Sequence, residues 1–306
     1  MELYKKYRPK TFKDIVGQEQ TVSILTSMGK KGKIPHFIMF TGESGCGKTT
    51  LARILKDKLK CSDRDFKELN AADFRGIDMV RDIRRTINLS PLSGSVRIWL
   101  LDEGHQTSKD AQSALLKLLE DTPQHVYFFI ATTHPEKLLP TVRSRATELK
   151  VNPLSDNQME GLIKKVSEAE GITLNQDVVD KIVKHAGGSP RKGLVILDTV
   201  IEETDPEKQQ ELIQKNDFEA AAIDLARALI KAKPSWFDVK KILKNLKDDP
   251  EGVRRLVLSY CSTILLGDNK NIAGKAYNVM DAFRENFFNT GFPGLVLACF
   301  ESIHGE

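Results

Sequence analysis

The chain has 306 residues, which favours two or three domains, with 40% hydrophobic and 29% charged residues and a formal net charge of +4. No apolar run approaches the roughly 20 residues that cross a bilayer, and the N-terminal MELYKKYRPK lacks the apolar core of a secretion signal; the expectation is a cytoplasmic protein with no membrane partner. Four cysteines (Cys46, Cys61, Cys261, Cys299) show no metal-ligand spacing, which argues against zinc, and the mild basicity permits a polyanionic partner without demanding one.

In chain order, HFIMFT (36–41) is a short apolar run that ends at Gly42, and a helical pattern follows from Thr49 to Leu59. VRIWLLDE (96–103) ends in two carboxylates, HVYFFIATT (125–133) breaks at His134-Pro135, and ATELKV (146–151) alternates as one further strand. Short runs of strand formers separated by helical periodicity predict a parallel, helix-covered sheet. After NPLSD (152–156) the pattern is helical from Asn157 to Glu203, with breaks at Gly171 and GGSP (187–190). The polar stretch EETDPEKQQE (202–211) reads as a linker. Helices resume at Leu212, with interruptions at Lys233-Pro234, Asp249-Pro250 and Phe292-Pro293. The expected class is α/β plus all-α, with boundaries at 1–151, 152–205 and 206–306.

GESGCGKT (42–49) fits G-x4-G-K-[ST] between a predicted strand and a predicted helix. Glycines at 42, 45 and 47 let successive N–H groups turn toward phosphates, and the helix adds its positive N-terminal end. The cradle is Gly42, Glu43, Ser44, Gly45, Cys46, Gly47, Lys48, Thr49 and Thr50, with Lys48 on the outer phosphates and the Thr49 hydroxyl on Mg²⁺. Asp102 would hold the same Mg²⁺ through water, and Glu103 would orient or deprotonate an attacking water. This pair points to nucleotide hydrolysis, since binding alone does not require Glu103. Thr133 ends the third apolar run, where its hydroxyl either reaches the γ-phosphate or merely closes a strand. Arg191, in GGSPRKG, either folds back on the nucleotide or is a solvated surface cation.

In order, YRPKTFKDIVGQE (7–19), GESGCGKTT (42–50), WLLDEGHQTSKDAQSALLKLLED (99–121), ATTHPEKLLPTVRSR (131–145) and GGSPRKGL (187–194) resemble the clamp-loader branch of the AAA+ ATPases. That family includes the bacterial DNA polymerase III gamma subunit, the small replication factor C subunits and the phage clamp-loader ATPase subunit. The resemblance is strong over residues 4–200 and weaker beyond. It implies an AAA+ P-loop domain (1–151), a small helical lid (152–205) and a helical collar for oligomerisation (206–306). It sets Tyr7, Arg8, Pro9 and Val16 against adenine and ribose, so that ATP is the nucleotide. Thr133 becomes sensor 1, Arg191 sensor 2, and Arg145 an arginine finger inserted into a neighbouring subunit's site. Ala146 stands where the family usually has cysteine, and the zinc module inserted in the bacterial gamma subunit has no counterpart.

Two helices could face DNA. In GIDMVRDIRRTINLS (76–90), Val80, Ile83 and Ile87 define a buried stripe, leaving Arg81, Arg84 and Arg85 on the other face, interspersed with Asp78 and Asp82. Such a pattern is by itself compatible with a solvated, ion-paired surface; the resemblance turns it toward the duplex backbone. Thr107-x-x-Asp110 resembles a capping box on a helix whose first turn carries Lys109, and Gln112 is a relay candidate between the two ligands. The implied partners are primer–template DNA, a sliding clamp, and other loader subunits in a ring expected to be pentameric, containing this chain and at least one other. DKLKCSDRDF (57–66) is the candidate clamp-facing stretch. The reading is an ATPase motor that loads the clamp in DNA replication, stimulated by DNA and clamp, in the cytoplasm (a host's if viral). A branch-migration helicase or replication-restart ATPase, and a stator-like subunit that does not hydrolyse, are the alternatives.

Overall fold

Apolar runs that alternate large side chains have two faces to bury, and the protein gives each a layer of helices. The computed structural model describes residues 2–71, 76–231, 233–244, 246–267 and 270–304. Strands β1 (Phe37–Thr41), β2 (Phe66–Asn70), β3 (Arg97–Asp102), β4 (Val126–Thr132) and β5 (Thr147–Lys150) form one sheet in the order β2-β3-β4-β1-β5. Every neighbouring pair is parallel. The surrounding helices are α1 (Leu3–Lys6), α2 (Glu19–Lys30), α3 (Lys48–Lys58), α4 (Ile77–Thr86), α5 (Lys109–Glu120) and α6 (Pro140–Arg143). Met39, Trp99, Leu101, Phe128 and Ile130 pack on one face with Ile83 of α4 and Leu115 of α5. Ile38, Phe40, Ile98, Leu100 and Phe129 pack on the other with Leu25 of α2 and Leu51 of α3. Burial on both faces is what a parallel sheet requires.

The strand β2 was absent from the sequence reading. Its residues, FKELN, contain no apolar run, and Lys67 and Glu68 are exposed. It lies at the sheet edge, where charge is tolerated and discourages further pairing.

The chain divides into two compact units, Met1–Pro206 and Glu207–Glu306. The first also contains α7 (Asp156–Ala169), α8 (Gln176–Ala186) and α9 (Pro190–Val200), broken where Gly171 and Gly187-Gly188 take positive φ. The expected linker 202–211 is corrected: α10 (Pro206–Leu229) already begins at Pro206, a residue pre-set for a first helical turn. Only the few residues between α9 and Pro206 connect the two elements.

The second unit holds α11 (Trp236–Leu243), α12 (Pro250–Leu265), α13 (Lys270–Ala282) and α14 (Gly291–His304) around a core that includes Leu225, Val257, Phe283 and Leu295. Pro293 falls in the first turn of α14, where the missing N–H has no intrahelical acceptor. All four cysteines are buried free thiols, and among the described residues no helix is long and apolar enough to cross a membrane.

Glu251 of α12 is 7% exposed. It accepts from the Arg254 guanidinium and, at 2.9 Å, from the Phe287 N–H. The Arg254 bonds, opposed by burial and helped by Phe287, hold its carboxyl at about 2 against an ordinary 4.5. The folded-state value is depressed, so the stabilisation is complete above pH 4.5 and disappears as pH falls toward 2, worth about 3 kcal/mol in all. Denaturant titration between pH 5 and pH 2, followed by Trp236 emission in a Trp99→Phe background, should show that loss in the parent and not in Glu251→Gln. Equal acid sensitivity of the two would contradict it.

Candidate nucleotide-binding site

The carboxyl ends of β1, β3 and β4 are neighbours in the sheet, and ligands bind at such ends in open α/β sheets. From β1 the chain enters the loop Gly42–Gly47, with φ of 147° at Gly42, 77° at Gly45 and 107° at Gly47. Two of these glycines also permit close approach. A Cβ at Gly42 would sit 2.0 Å from the Val151 carbonyl oxygen, and one at Gly45 would sit 2.3 Å from Ser189 Oγ. Thus Gly45 lets the start of α9 lie on the loop, where the Arg191 N–H donates to the Gly45 carbonyl at 3.4 Å. Lys48 is 6% exposed. Its Nζ donates to the carbonyls of Gly42 at 2.9 Å and Glu43 at 2.8 Å. Burial lowers the Lys48 pKa, opposed by Glu103 and Asp102.

The Thr49 hydroxyl donates to Asp102 Oδ2 at 3.1 Å, so the two residues assigned to Mg²⁺ meet directly. One hydroxyl, one carboxylate, phosphate oxygens and water make the kind of sparse set that Mg²⁺ accepts. Among the described residues no group of three or more His, Cys, Asp or Glu competes as a metal cluster. Glu103 follows at φ 51°, an unusual conformation for a residue with a side chain, held by its own N–H on Asp102 Oδ1 at 3.0 Å.

These groups open onto one cavity of about 450 Å³. Tyr7, Arg8, Pro9 and Val16 line it from the N-terminal segment, Ser44 through Thr50 from the phosphate loop, and Asp102, Glu103 and Arg191 line it as well. Arg53 and Glu68, which the sequence reading missed, also line it and pair at 2.8 Å. Arg8, Lys48, Arg53 and Arg191 are among the cations that line the cavity. Burial, with Arg53 and Arg191 nearby, lowers the Arg8 pKa. Clustered positive charge favours an anion, and a polyphosphate is the anion that the glycine loop fits. Tyr7 donates its phenol to Glu170 at the end of α7, and Lys6 pairs with the same carboxylate at 2.6 Å, so the N-terminal segment is strapped to the helical part of this unit.

Other expected residues lie outside the cavity lining. Gly42 and Glu43 act through the carbonyls that hold Lys48. Thr133 follows the end of β4, half-buried, whereas Thr132 is fully buried with its Oγ1 accepting from the His134 N–H at 3.1 Å. Arg145 is exposed, paired with Glu120, and donates to the Thr141 carbonyl at 2.9 Å.

On α4, Val80, Ile83 and Ile87 are buried and Arg81, Arg84 and Arg85 exposed; Arg81 pairs with Asp78 at 2.8 Å and Arg85 with Asp82 at 3.4 Å. Lys109 is exposed in the first turn of α5. The cap of that helix is corrected. Ser108, not Thr107, accepts from the Ala111 N–H at 3.2 Å, because Thr107 is turned inward at 6% exposed. Its carbonyl accepts from Gln112 Nε2 at 3.0 Å, while Gln112 Oε1 accepts from the Leu139 N–H at 2.8 Å. Buried Gln112 thus joins the turn after Glu103 to the residue that starts α6, a few residues before Arg145.

A five-stranded parallel sheet in this order, with a phosphate loop after β1, an acidic pair after β3 and a helical segment lying on the loop, defines a AAA+ module. Residues 17–155 match the family model described as DNA polymerase III, delta subunit. Over 224 residues the chain is 35% identical to the DNA polymerase III subunit gamma/tau of Mycobacterium tuberculosis, covering 66% of this chain and 39% of that protein. It is 32% identical over 217 residues to the gamma subunit of Buchnera aphidicola from Schizaphis graminum, covering 64% and 60% respectively. The chain therefore spans less than two thirds of the length of these relatives. The Thermotoga maritima RuvB Holliday junction branch migration motor superimposes with a TM-score of 0.59 at 19% identity, over 74% of this chain and 80% of that one; at that identity the likeness is one of fold. The chain is thus similar in sequence to DNA polymerase III subunits and in fold to a AAA+ motor.

Proposed function

We propose that this chain is the ATPase motor subunit of a sliding-clamp loader: it binds ATP with Mg²⁺, hydrolyses it at a subunit interface, and so drives the loading of a processivity clamp onto primer–template DNA during replication. The observation that carries this reading is the complete hydrolytic set in one cavity, Lys48, the Thr49–Asp102 pair at 3.1 Å and Glu103, with Arg145 outside that cavity. Mg²⁺ would rest on Thr49 and Asp102 and supply charge neutralisation on the phosphates. Arg191 and Thr133 would contact the nucleotide from α9 and from beyond β4, and Tyr7, Arg8, Pro9 and Val16 would hold its base and sugar.

The division we propose is an AAA+ P-loop domain over 1–151, a lid over 152–205 and an oligomerisation collar over 206–306. Arg81, Arg84, Arg85 and Lys109 would track the duplex backbone without reading sequence. The ring would be pentameric, containing this chain with at least one other. The relatives named for DNA polymerase III subunits support the clamp-loading assignment over a branch-migration motor, and the intact acidic pair supports hydrolysis over a stator role.

One assay separates the readings. ATP turnover of the assembled protein is measured alone, with primed DNA, with clamp, and with both, across a salt series. Stimulation by clamp and DNA together, with DNA affinity falling steeply with salt, is expected. Stimulation by DNA alone would favour a branch-migration motor, and no turnover under any condition would favour the stator.

A further inference from the structure

Glu103 is expected to act on water, yet its backbone sits in a left-handed conformation that persists only where its surroundings hold it. The backbone is held by the Asp102 carboxylate and by the Gln106 N–H, which donates to the Glu103 carbonyl at 2.8 Å. The turn itself is pressed against β4, where a Cβ on Gly104 would come 2.5 Å from Ile130 Cγ2. None of this orients the carboxylate. Among the described residues the one basic side chain within 4 Å of its carboxylate is His105, whose Nδ1 lies 3.4 Å from Glu103 Oε2. The same Nδ1 lies 3.1 Å from Thr132 Oγ1, itself fixed at the end of β4 by burial and by the His134 N–H.

Resting on the ATPase reading above, we propose that His105 is a positioning residue for Glu103: its ring fastens the carboxylate to the end of β4 and keeps it aimed at the attacking water. With its proton on Nδ1 the ring donates to Thr132 Oγ1 and presents the same polar edge to Glu103 Oε2 at 3.4 Å. The imidazole is 10% exposed and faces the His134 ring at 4.9 Å in an edge arrangement. Burial, then His134 and Lys137, push its pKa down, with Glu136 opposing and Lys48 adding, so the ring stays neutral near neutral pH. A neutral donor orients the carboxylate without the full charge of an imidazolium, which would make Glu103 a poorer base. The neighbouring Thr132 then links this aim to the segment that carries Thr133.

The test uses the full assembly with primed DNA and clamp, comparing His105→Ala, His105→Asn, Glu103→Gln and the double variant His105→Ala/Glu103→Gln. The amide nitrogen of asparagine can take the place of Nδ1, which separates hydrogen bonding from ring packing. Misaiming a reacting group by about 1 Å costs about 10²-fold. His105→Ala should therefore lower kcat by about 10²-fold, leave the affinity for a non-hydrolysable ATP analogue within about twofold, and be largely rescued in His105→Asn. The double variant should be no slower than Glu103→Gln, because His105 acts through that side chain. Unchanged kcat in His105→Ala, an asparagine variant as slow as alanine, or multiplicative losses in the double variant would each overturn the proposal. A wild-type assembly without turnover is a different result and would overturn the ATPase reading itself.

Discussion

Arg145→Ala should bind ATP as the parent does and turn it over about 10³–10⁵-fold more slowly, the range measured for an arginine finger in GTPases, or about 4–7 kcal/mol of barrier. The argument is one of position. The guanidinium carries a full charge at the exposed end of α6, yet it does not line the cavity that already holds Arg8, Lys48, Arg53 and Arg191. Its present partners, Glu120 and the Thr141 carbonyl, lie on its own surface, and an exposed pair of this kind is worth about 0–1 kcal/mol. Exchanging Glu120 for a neighbour's phosphates therefore costs little. A cation that acts on another molecule's nucleotide makes a further expectation: mixing Arg145→Ala with Lys48→Ala subunits should restore part of the turnover, since each supplies what the other's site lacks. Nucleotide affinity measured with a fluorescent ATP analogue, and turnover of the two variants separately and mixed, check both statements. Isolated chain that hydrolyses ATP as fast as the assembly would remove the trans role.

How much of this was legible beforehand follows from how local each signal is. The phosphate loop could be read because its chemistry is contiguous: glycines, lysine and threonine fall within eight residues between a strand and a helix. The central strands could be read because burial on both faces leaves unbroken apolar runs. β2 could not, since an edge strand with Lys67 and Glu68 outward has no such run. The linker was drawn too long because Pro206, a loop signal in isolation, starts a helix here. Arg53 and Glu68 were missed for another reason: they are ordinary charged residues until α3 and β2 bring them to one wall. His105 sat in plain view in WLLDEGH, but its partner Thr132 is 27 residues away, and only the β3–β4 pairing brings the two together.

The largest expected loss of stability is from Asp65→Ala. The stretch 57–66 read as a clamp-facing surface, but Asp65 within it points inward and is fully buried. It accepts from the N–H groups of Leu92 at 2.6 Å, Ser93 at 3.0 Å and Gly94 at 3.1 Å, and from Ser62 Oγ at 2.6 Å. Arg97, 6% exposed, approaches it at 3.7 Å and donates to the Thr86 and Ser90 carbonyls at 2.5 and 3.1 Å. Burial alone would raise the Asp65 pKa, but Ser62 and the three backbone donors outweigh it and hold the carboxyl far below the usual range. One carboxylate thus ties the segment between α4 and β3 to the residue before β2. Removing it leaves three N–H groups without their acceptor and a buried guanidinium without its counter-charge, which costs about 3–5 kcal/mol. In a unit of this size that lowers the melting temperature by on the order of 10 °C. Asp65→Asn should recover only part of it, since an amide offers one acceptor oxygen and turns an NH₂ toward donors. Because β3 delivers Asp102, amide hydrogen exchange at residues 87–96 should rise in both variants before nucleotide affinity falls. Melting within about 2 °C of the parent would show that water replaces the carboxylate and that this loop does not depend on Asp65.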